Sequence, residues 1–353
     1  MNIELKRTNE LSDADWSAWR SIQESAREYE SPYFRPEFVQ AVARVRSDVE
    51  IAVLRGGETT VGYFPFQRGT LNLGKPIGGK LSDYHGPLVR AGTQLDPMAI
   101  LEGCRLASWD FDHLVCAGGG FEPFTKLKAK SSQLDLSAGF AAYAAGRKEA
   151  GSEVVQRLGQ KVRKMAREVG PAKFEVDAND DEAYVLLRRW KSEQLVRSGF
   201  TDVFAFSWVT QLIDDLRGHR GSDFSAPLTV LRAGDKVAAV SLSLFSRGLL
   251  HGWFTAYDPT LSIYSPGINL FVRLAEEAQQ FGIRKIDLGR GEESYKGRLA
   301  SGSAEVAEGL VSRPSVGTLL RTTWRKTRDW VARSPLASTT RLLKPVREWM
   351  AYQ

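Results

Sequence analysis

The residues with the most chemistry to offer lie between Tyr257 and Lys296. A strand ending at Tyr257 enters the turn Asp258-Pro259, and Ser265-Pro266-Gly267 then opens a helix. Ser265 suits the cap, Pro266 the first turn, and Ile268, Phe271, Val272, Ala275 and Ala278 keep helical spacing on one face. A helix start built of small residues leaves backbone N–H groups unpaired at a positive dipole end, which can hold a phosphate or pyrophosphate. The same residues also describe an ordinary capped helix, so their neighbours have to decide. Asp287-Leu288-Gly289-Arg290-Gly291-Glu292 closes an apolar strand, and strand ends in α/β folds face ligands. Just beyond it, Tyr295-Lys296 sets a phenol beside an ammonium group.

In this order and at this spacing, Tyr257-Asp258-Pro259, Ser265-Pro266-Gly267, Asp287 to Glu292 and Tyr295-Lys296 resemble the C-terminal signature of the CelD-like acetyltransferases of cellulose and exopolysaccharide biosynthesis. That family belongs to the GNAT superfamily and is similar to the Fem peptidyltransferases. Trp190-Lys191 and Ser82-Asp83-Tyr84 extend the resemblance, which spans about Val49 to Val311. It implies an α/β protein of two tandem, duplicated GNAT-like domains. Each would hold a mixed, mostly antiparallel sheet flanked by helices, with a cleft between the domains for the acceptor.

The resemblance also assigns roles. Tyr257 and the helix start at Ser265, Gly267, Ile268 and Asn269 match the places where GNAT enzymes receive the pantetheine and pyrophosphate of acyl-CoA. Acyl transfer needs a base for the acceptor, a donor or cation for the oxyanion, and a proton for the leaving group. Lys296 suits the oxyanion or the leaving group, Tyr295 or Tyr257 the proton. Asp83 and Asp287 are the carboxylates suited to base or acceptor-binding work. Tyr84, His85, Trp190, Lys191 and Arg290 complete the expected substrate contacts. The usual Arg/Gln-x-x-Gly-x-Gly/Ala phosphate loop is replaced here by one glycine, Gly267, and a proline. Fem enzymes, which also lack that loop, use aminoacyl-tRNA, so a tRNA-borne donor is the alternative to acetyl-CoA.

The elements that must position these residues repeat. Val53-Leu54-Arg55-Gly56-Gly57-Glu58 and Val230-Leu231-Arg232-Ala233-Gly234-Asp235 are two hairpin turns 177 positions apart, each followed by a returning strand. Each half runs from helices through antiparallel strands to a helix and a strand: Pro97–Ser108 and His113–Cys116 in the first, Gly267–Phe281 and Arg284–Leu288 in the second. Helices are also expected at Asp13–Arg27, Pro36–Val45, Glu153–Val169, Asp181–Arg197 and Trp208–Arg217. The expected division is residues 1–145, 146–315 for the acyltransferase domain, and a basic tail at 316–353.

With 353 residues and 42% hydrophobic content, the chain is long enough for two cores. The N-terminus lacks the pattern of a signal peptide, and no apolar run approaches the roughly 20 residues of a membrane span. Two cysteines, Cys104 and Cys116, exclude a disulfide framework and point to a reducing compartment, hence the cytoplasm. The net charge of +6 resides in residues 316–353, where eight basic residues face two acidic ones. Their tryptophans and arginines suit an amphipathic helix at an anionic membrane surface, or a helical pair packed on the body.

Several other signals fail. Gly74 to Leu81 nearly spells a P-loop but puts Leu81 where Ser or Thr must meet magnesium. Gly118-Gly119-Gly120 lacks the third glycine of a dinucleotide fingerprint. No histidine stands at metal-ligand spacing, so no metal is expected. The leading expectation is acyl transfer from acetyl-CoA to an amine or hydroxyl of a saccharide or sugar nucleotide. A Fem-like aminoacyltransferase and a non-catalytic adaptor docking to a membrane polysaccharide synthase are the alternatives.

Overall fold

The computed structural model describes residues 1–115, 119–291 and 293–313. In chain order the elements are β1 (Asn2–Lys6), α1 (Asp13–Ser25), α2 (Pro36–Val45), β2 (Val49–Gly56), β3 (Thr59–Arg68), β4 (Leu73–Lys75), β5 (Leu88–Val89), α3 (Pro97–Gly103) and β6 (Ser108–Leu114). They continue with β7 (Thr125–Asp135), α4 (Phe140–Glu149), α5 (Val154–Glu168), β8 (Ala172–Glu175), α6 (Asp181–Arg197), α7 (Ser207–Arg217), β9 (Leu228–Ala233), β10 (Lys236–Ser246) and β11 (Leu249–Tyr257). The last are α8 (Pro266–Glu277), β12 (Lys285–Arg290), α9 (Ser294–Leu299) and β13 (Gly302–Ser312).

The chain folds into two units. Among the described residues, the first takes 1–129, 199–208 and 306–313. Its strands run β1-β2-β3-β4-β6-β13, with β5 added on β3. Helix α1 starts on a reciprocal cap: Ser12 Oγ accepts the Asp15 N–H at 3.2 Å, and the Asp15 carboxylate accepts the Ser12 N–H at 3.0 Å. Ala52, Phe64, Phe66, Ile100, Trp109 and Phe111 fill the core between sheet and α3.

The second unit takes residues 130–198 and 209–305, with strand order β7-β12-β11-β10-β9-β8. Helix α5 packs on α8 and α9, and α6 packs on β10 and β11. Leu250, Phe271, Leu274, Ile286 and Leu288 belong to its core. All pairings are antiparallel except β11 with β12, which α8 joins as a crossover. The unit is thus an α/β fold with a mixed sheet flanked by helices.

The repeated hairpins fall where the sequence puts them. Gly57 and Gly234 each open a two-residue turn at positive φ (65° and 59°), a backbone state that admits glycine without strain. Two differences from the sequence reading stand out. Residues 130–145, expected in the first domain, belong to the second unit, where β7 pairs with β12 through Ser131 to Asp135. Strand β13 returns to the first unit, where Ala307 to Ser312 pair with β6. The basic helices expected at 316–353 lie outside the described residues.

Candidate active site

The site grows from an interrupted ladder. Strands β11 and β12 pair in parallel only at Leu249–Lys285, Leu250–Ile286 and His251–Asp287. Beyond that point β11 continues to Tyr257 on β10 alone, and β12 turns toward β7. The two strands therefore splay, leaving backbone groups on their facing edges to be satisfied by something other than each other. A bulge sharpens the divergence: Leu242 pairs Phe254 and Ser243 pairs Gly252, so Trp253 is the extra residue on β11. Tyr257, 39% exposed, closes the strand, and its ring lies against Gly267, where an added Cβ would fall 3.2 Å from Cδ1.

The start of α8 lacks the side-chain cap the sequence suggests. Ser265 occupies the cap position but adopts a left-handed conformation (φ 53°, ψ 50°) and caps nothing with its side chain. Its hydroxyl instead accepts from Lys161 Nζ at 2.7 Å. Pro266 has no N–H to offer. Side chains add positive potential at this end. A cavity of about 530 Å³ is lined by Arg147, Arg157, Lys161 and Arg298 together with Ser265, Ile268 and Tyr295. Arg157 also pairs with Glu153 at 2.8 Å. Arg147 donates to the Ala300 carbonyl, and its buried Nε has no hydrogen-bond partner among the described residues. Four cations around one cavity fit an anion such as a diphosphate. Sequence reasoning missed these four. The signal was available in α5, where Arg157 and Lys161 stand four residues apart and so share a helix face.

Next to the splay, two lysines meet. Lys296 on α9 is only 6% exposed. Its ammonium donates to the Arg290 carbonyl at 3.1 Å and pairs with Glu293 Oε2 at 3.2 Å. Gly291 makes room for it: an added Cβ there would fall 2.6 Å from Lys296 Nζ. Lys191 on α6 is half-buried, with Gln194 Oε1 at 3.3 Å from its Nζ. Burial pushes the Lys191 pKa down, the Lys296 charge pushes it the same way, and Glu293 opposes both. Tyr295, packed against the core, is held protonated: burial, and then the nearby Glu293, raise its pKa to about 12.

Other expected site residues turn out to hold the scaffold. Asp287 is fully buried; its carboxylate accepts from Ser131 Oγ at 2.6 Å, Gln133 Nε2 at 2.8 Å and the Gly289 N–H at 2.8 Å. It fixes the end of β12 and is corrected from substrate contact to anchor. Asn269 is likewise buried and donates to the Tyr264 carbonyl at 2.7 Å, tying the turn before α8 rather than facing a cofactor. Trp190 is buried on α6. Arg290 offers its backbone carbonyl to Lys296, while its side chain is half-buried.

Asp83, Tyr84 and His85 lie in the first unit. Asp83 is half-buried there and Tyr84 is buried. His85 is buried too, its Nε2 accepting the backbone N–H groups of Asp112 (3.2 Å) and His113 (3.1 Å). This tie between a loop and β6 replaces the expected substrate contact. Burial pushes the His85 pKa from 6.5 to about 3, against the pull of Asp112. The unfolded chain therefore takes up a proton at His85 below about 6.5 while the folded chain does not, so stability falls as pH drops from 6.5 toward 3. Asp112, held far below the carboxylate range despite its burial by bonds to His113 and the charges around it, adds a second loss below its ordinary 3.8. Calorimetry from pH 7 to pH 4 is expected to show the melting temperature falling, with a shallower slope in His85→Gln, which keeps an acceptor without the titration. An unchanged slope would sink this account.

A family model described as "Acetyltransferase (GNAT) domain" matches residues 152–297. No curated protein matches the sequence. Among solved structures the chain is similar to FemX (TM-score 0.59, 11% identity, 90% of this chain and 99% of that one). It is also similar to a tandem GNAT protein from the clavulanic acid biosynthesis pathway (TM-score 0.50, 13% identity, 89% and 100%). A third similar structure is the C-terminal domain of a proposed lysylphosphatidylglycerol synthetase from Agrobacterium fabrum (TM-score 0.50, 14% identity, 92% and 99%). At these identities the likeness is one of fold.

Proposed function

From the premise that residues 152–297 form a GNAT acetyltransferase domain and that the chain is an acyltransferase, we propose that it moves an acetyl group from acetyl-CoA to an amine or hydroxyl of a saccharide or sugar-nucleotide acceptor in envelope polysaccharide synthesis. One observation carries the donor side: a cavity with four cations in its lining reaches Ser265 and Ile268 at the start of α8, where Gly267 lies against Tyr257 at the end of the splayed β11. In this reading the thioester carbonyl lies against the freed edge of β11 near the bulge at Trp253. The diphosphate occupies the cavity of Arg147, Arg157, Lys161 and Arg298, with Lys161 exchanging Ser265 for phosphate oxygens. Ile268 and Gly267 flank the chain between the two. Lys296, fixed by Glu293 and the Arg290 carbonyl, faces the developing oxyanion. Tyr257 or Tyr295, both phenols able to give a proton, serves the departing thiolate. The saccharide acceptor rests on the family resemblance.

Isothermal titration with acetyl-CoA tests the donor site. The double substitution Arg157→Ala, Lys161→Ala is expected to weaken binding by about 10- to 100-fold, about 1.4–2.8 kcal/mol in all, since Arg157, with 70% of its side chain in solvent, contributes less than a buried charged hydrogen bond. Affinity of the unaltered chain should fall as salt rises. Acetyl-CoA binding that ignores both changes would remove the cavity from the donor site.

A second reading is a Fem-like aminoacyltransferase. The extent of the fold match to FemX and the missing glycine loop favour it. It predicts tRNA binding that weakens steeply with salt and no release of free CoA from acetyl-CoA. Peripheral membrane attachment through residues 316–353 is part of the proposal for either reading, and liposome sedimentation with and without that segment tests it.

A further inference from the structure

The freed half of β11 has two unlike faces. Up to His251 the strand has a neighbour on each side; beyond it, Gly252 to Tyr257 run along β10 alone. Contacts fix which residues share a face. An added Cβ on Gly252 would fall 2.8 Å from Phe271 Cζ, and the Tyr257 ring lies against Gly267, so Gly252 and Tyr257 face α8. Thr255 shares their face: it pairs with Ser241, two residues from the Ala239 that pairs with Tyr257. Phe254 and Ala256 therefore point the other way. Trp253, the extra residue of the bulge, joins them, because its ring centroid stands 4.8 Å from that of Phe254. Phe254 and Ala256 are buried, whereas Trp253 is half-buried. On the face away from α8, Trp253 is thus the side chain through which this half of β11 meets solvent.

We propose that the indole of Trp253 is the platform on which the pyranose ring of the acceptor lies. This rests on the acyltransferase reading and deepens it, because that reading takes its saccharide from the family resemblance alone. In it the donor belongs to the α8 side: Ser265 and Ile268 line the diphosphate cavity, and Gly267 lies against Tyr257. The acceptor's nucleophilic atom must reach the thioester carbon from the side that the body of the donor leaves open. Trp253 faces that side, two residues past the last rung of the β11–β12 ladder. The bulge is what turns its ring there, since regular alternation would not set two successive residues on one face.

The indole then selects among acceptors. Its face is flat, apolar and negative at the centre of its quadrupole. A pyranose offers such a surface a rigid patch of slightly positive C–H groups and keeps its hydroxyls at the rim, in water. A flexible amine or alcohol with the same reacting groups has no such patch. The platform therefore acts on acceptor binding, and so on KM, and leaves the chemistry at the carbonyl to other residues.

Two measurements on the full chain test this. Labelling with 5-fluorotryptophan gives each indole its own 19F signal, and Trp253→Phe identifies that of Trp253. With CoA present, glucosamine is expected to shift that signal saturably. Ethanolamine, an amine beside a hydroxyl without a ring, should leave it in place. Second, thiol release from acetyl-CoA is followed with each acceptor. Trp253→Leu should raise KM for glucosamine about 3- to 10-fold, with kcat and the Kd for acetyl-CoA within twofold, and Trp253→Phe should fall between. The same substitution should change kcat/KM for ethanolamine by less than twofold, a selectivity that a merely structural role would not produce. An unmoved Trp253 signal at high glucosamine, or equal losses with the two acceptors, overturns the inference alone, as does an unaltered chain that prefers ethanolamine. No acetyl-CoA binding and no thiol release in the unaltered chain overturn the acyltransferase reading instead, and the inference with it.

Discussion

Replacing Lys296 by methionine is expected to lower kcat for acyl transfer by about 10²–10³-fold, equivalent to about 2.7–4 kcal/mol of transition-state stabilisation. The size follows from placement. The ammonium is 6% exposed and held from two sides, so it needs no reorganisation when negative charge appears on the carbonyl oxygen. Methionine keeps the volume and the packing but leaves no charge. Folding should change little, because the carboxylate that loses its partner, Glu293, has 55% of its side chain in solvent. Donor binding should also be nearly intact, since the cations of the diphosphate cavity are other residues. The informative pattern is a fall in kcat with an unchanged Kd for acetyl-CoA, measured by thiol release and calorimetry. Lys296→Arg separates charge from geometry: the fork of a guanidinium does not fit the space beside Gly291, where even a Cβ is too close, so arginine should rescue poorly. Wild-type kcat in Lys296→Met would remove the ammonium from the reaction.

How much of this was legible beforehand depends on the range of the interactions involved. Helices α2 and α6, the hairpin turn between β9 and β10 and the end of β11 at Tyr257 were readable to the residue, because local signals fix them: Pro36 and Asp180 at helix starts, Gly234 in the hairpin, and Asp258-Pro259 after the strand. Strand β7 was not. Its sequence, with Lys126, Lys128 and Lys130, has no apolar stripe to announce a strand, and what makes it one is the ladder to β12 some 150 positions away. The site divides in the same way. Tyr257, Gly267, Tyr295 and Lys296 could be picked out because they are close in sequence, and Lys191 because of its resemblance to a family. The partner of Ser265 could not, since Lys161 precedes it by 104 positions and reaches it only through the packing of α5 on α8. Asp287 was read as a ligand group because it opens the Asp287 to Glu292 motif and offers a carboxylate suited to base or acceptor-binding work. The use proved internal: two donors from β7, Ser131 and Gln133, were invisible until the sheet closed, and the third is the Gly289 N–H of β12 itself.

That closure makes Asp287 the place where stability and chemistry are most tightly joined. Asp287→Ala is expected to destabilise the chain by about 3–5 kcal/mol, because Ser131, Gln133 and the Gly289 N–H all lose a buried acceptor at once. Asp287→Asn should cost less, about 1–3 kcal/mol, since one oxygen remains while an N–H₂ now confronts a donor. Urea unfolding followed by tryptophan fluorescence reads these differences in the midpoint. Pairing Asp287→Ala with Ser131→Ala should give a total well short of the sum of the single losses, because the second substitution removes one of the orphaned donors. The catalytic consequence is separable at low denaturant, where the variant is still folded. Gly289, held at φ 76° with its N–H on Asp287, leads directly to Arg290, whose carbonyl orients Lys296. Loosening that turn should therefore lower kcat even in folded protein, while donor affinity, set at the start of α8, should hold. An Asp287→Ala variant that unfolds within 1 kcal/mol of the parent, or that keeps full kcat, would show that the buried carboxylate does not set the geometry of the amine site.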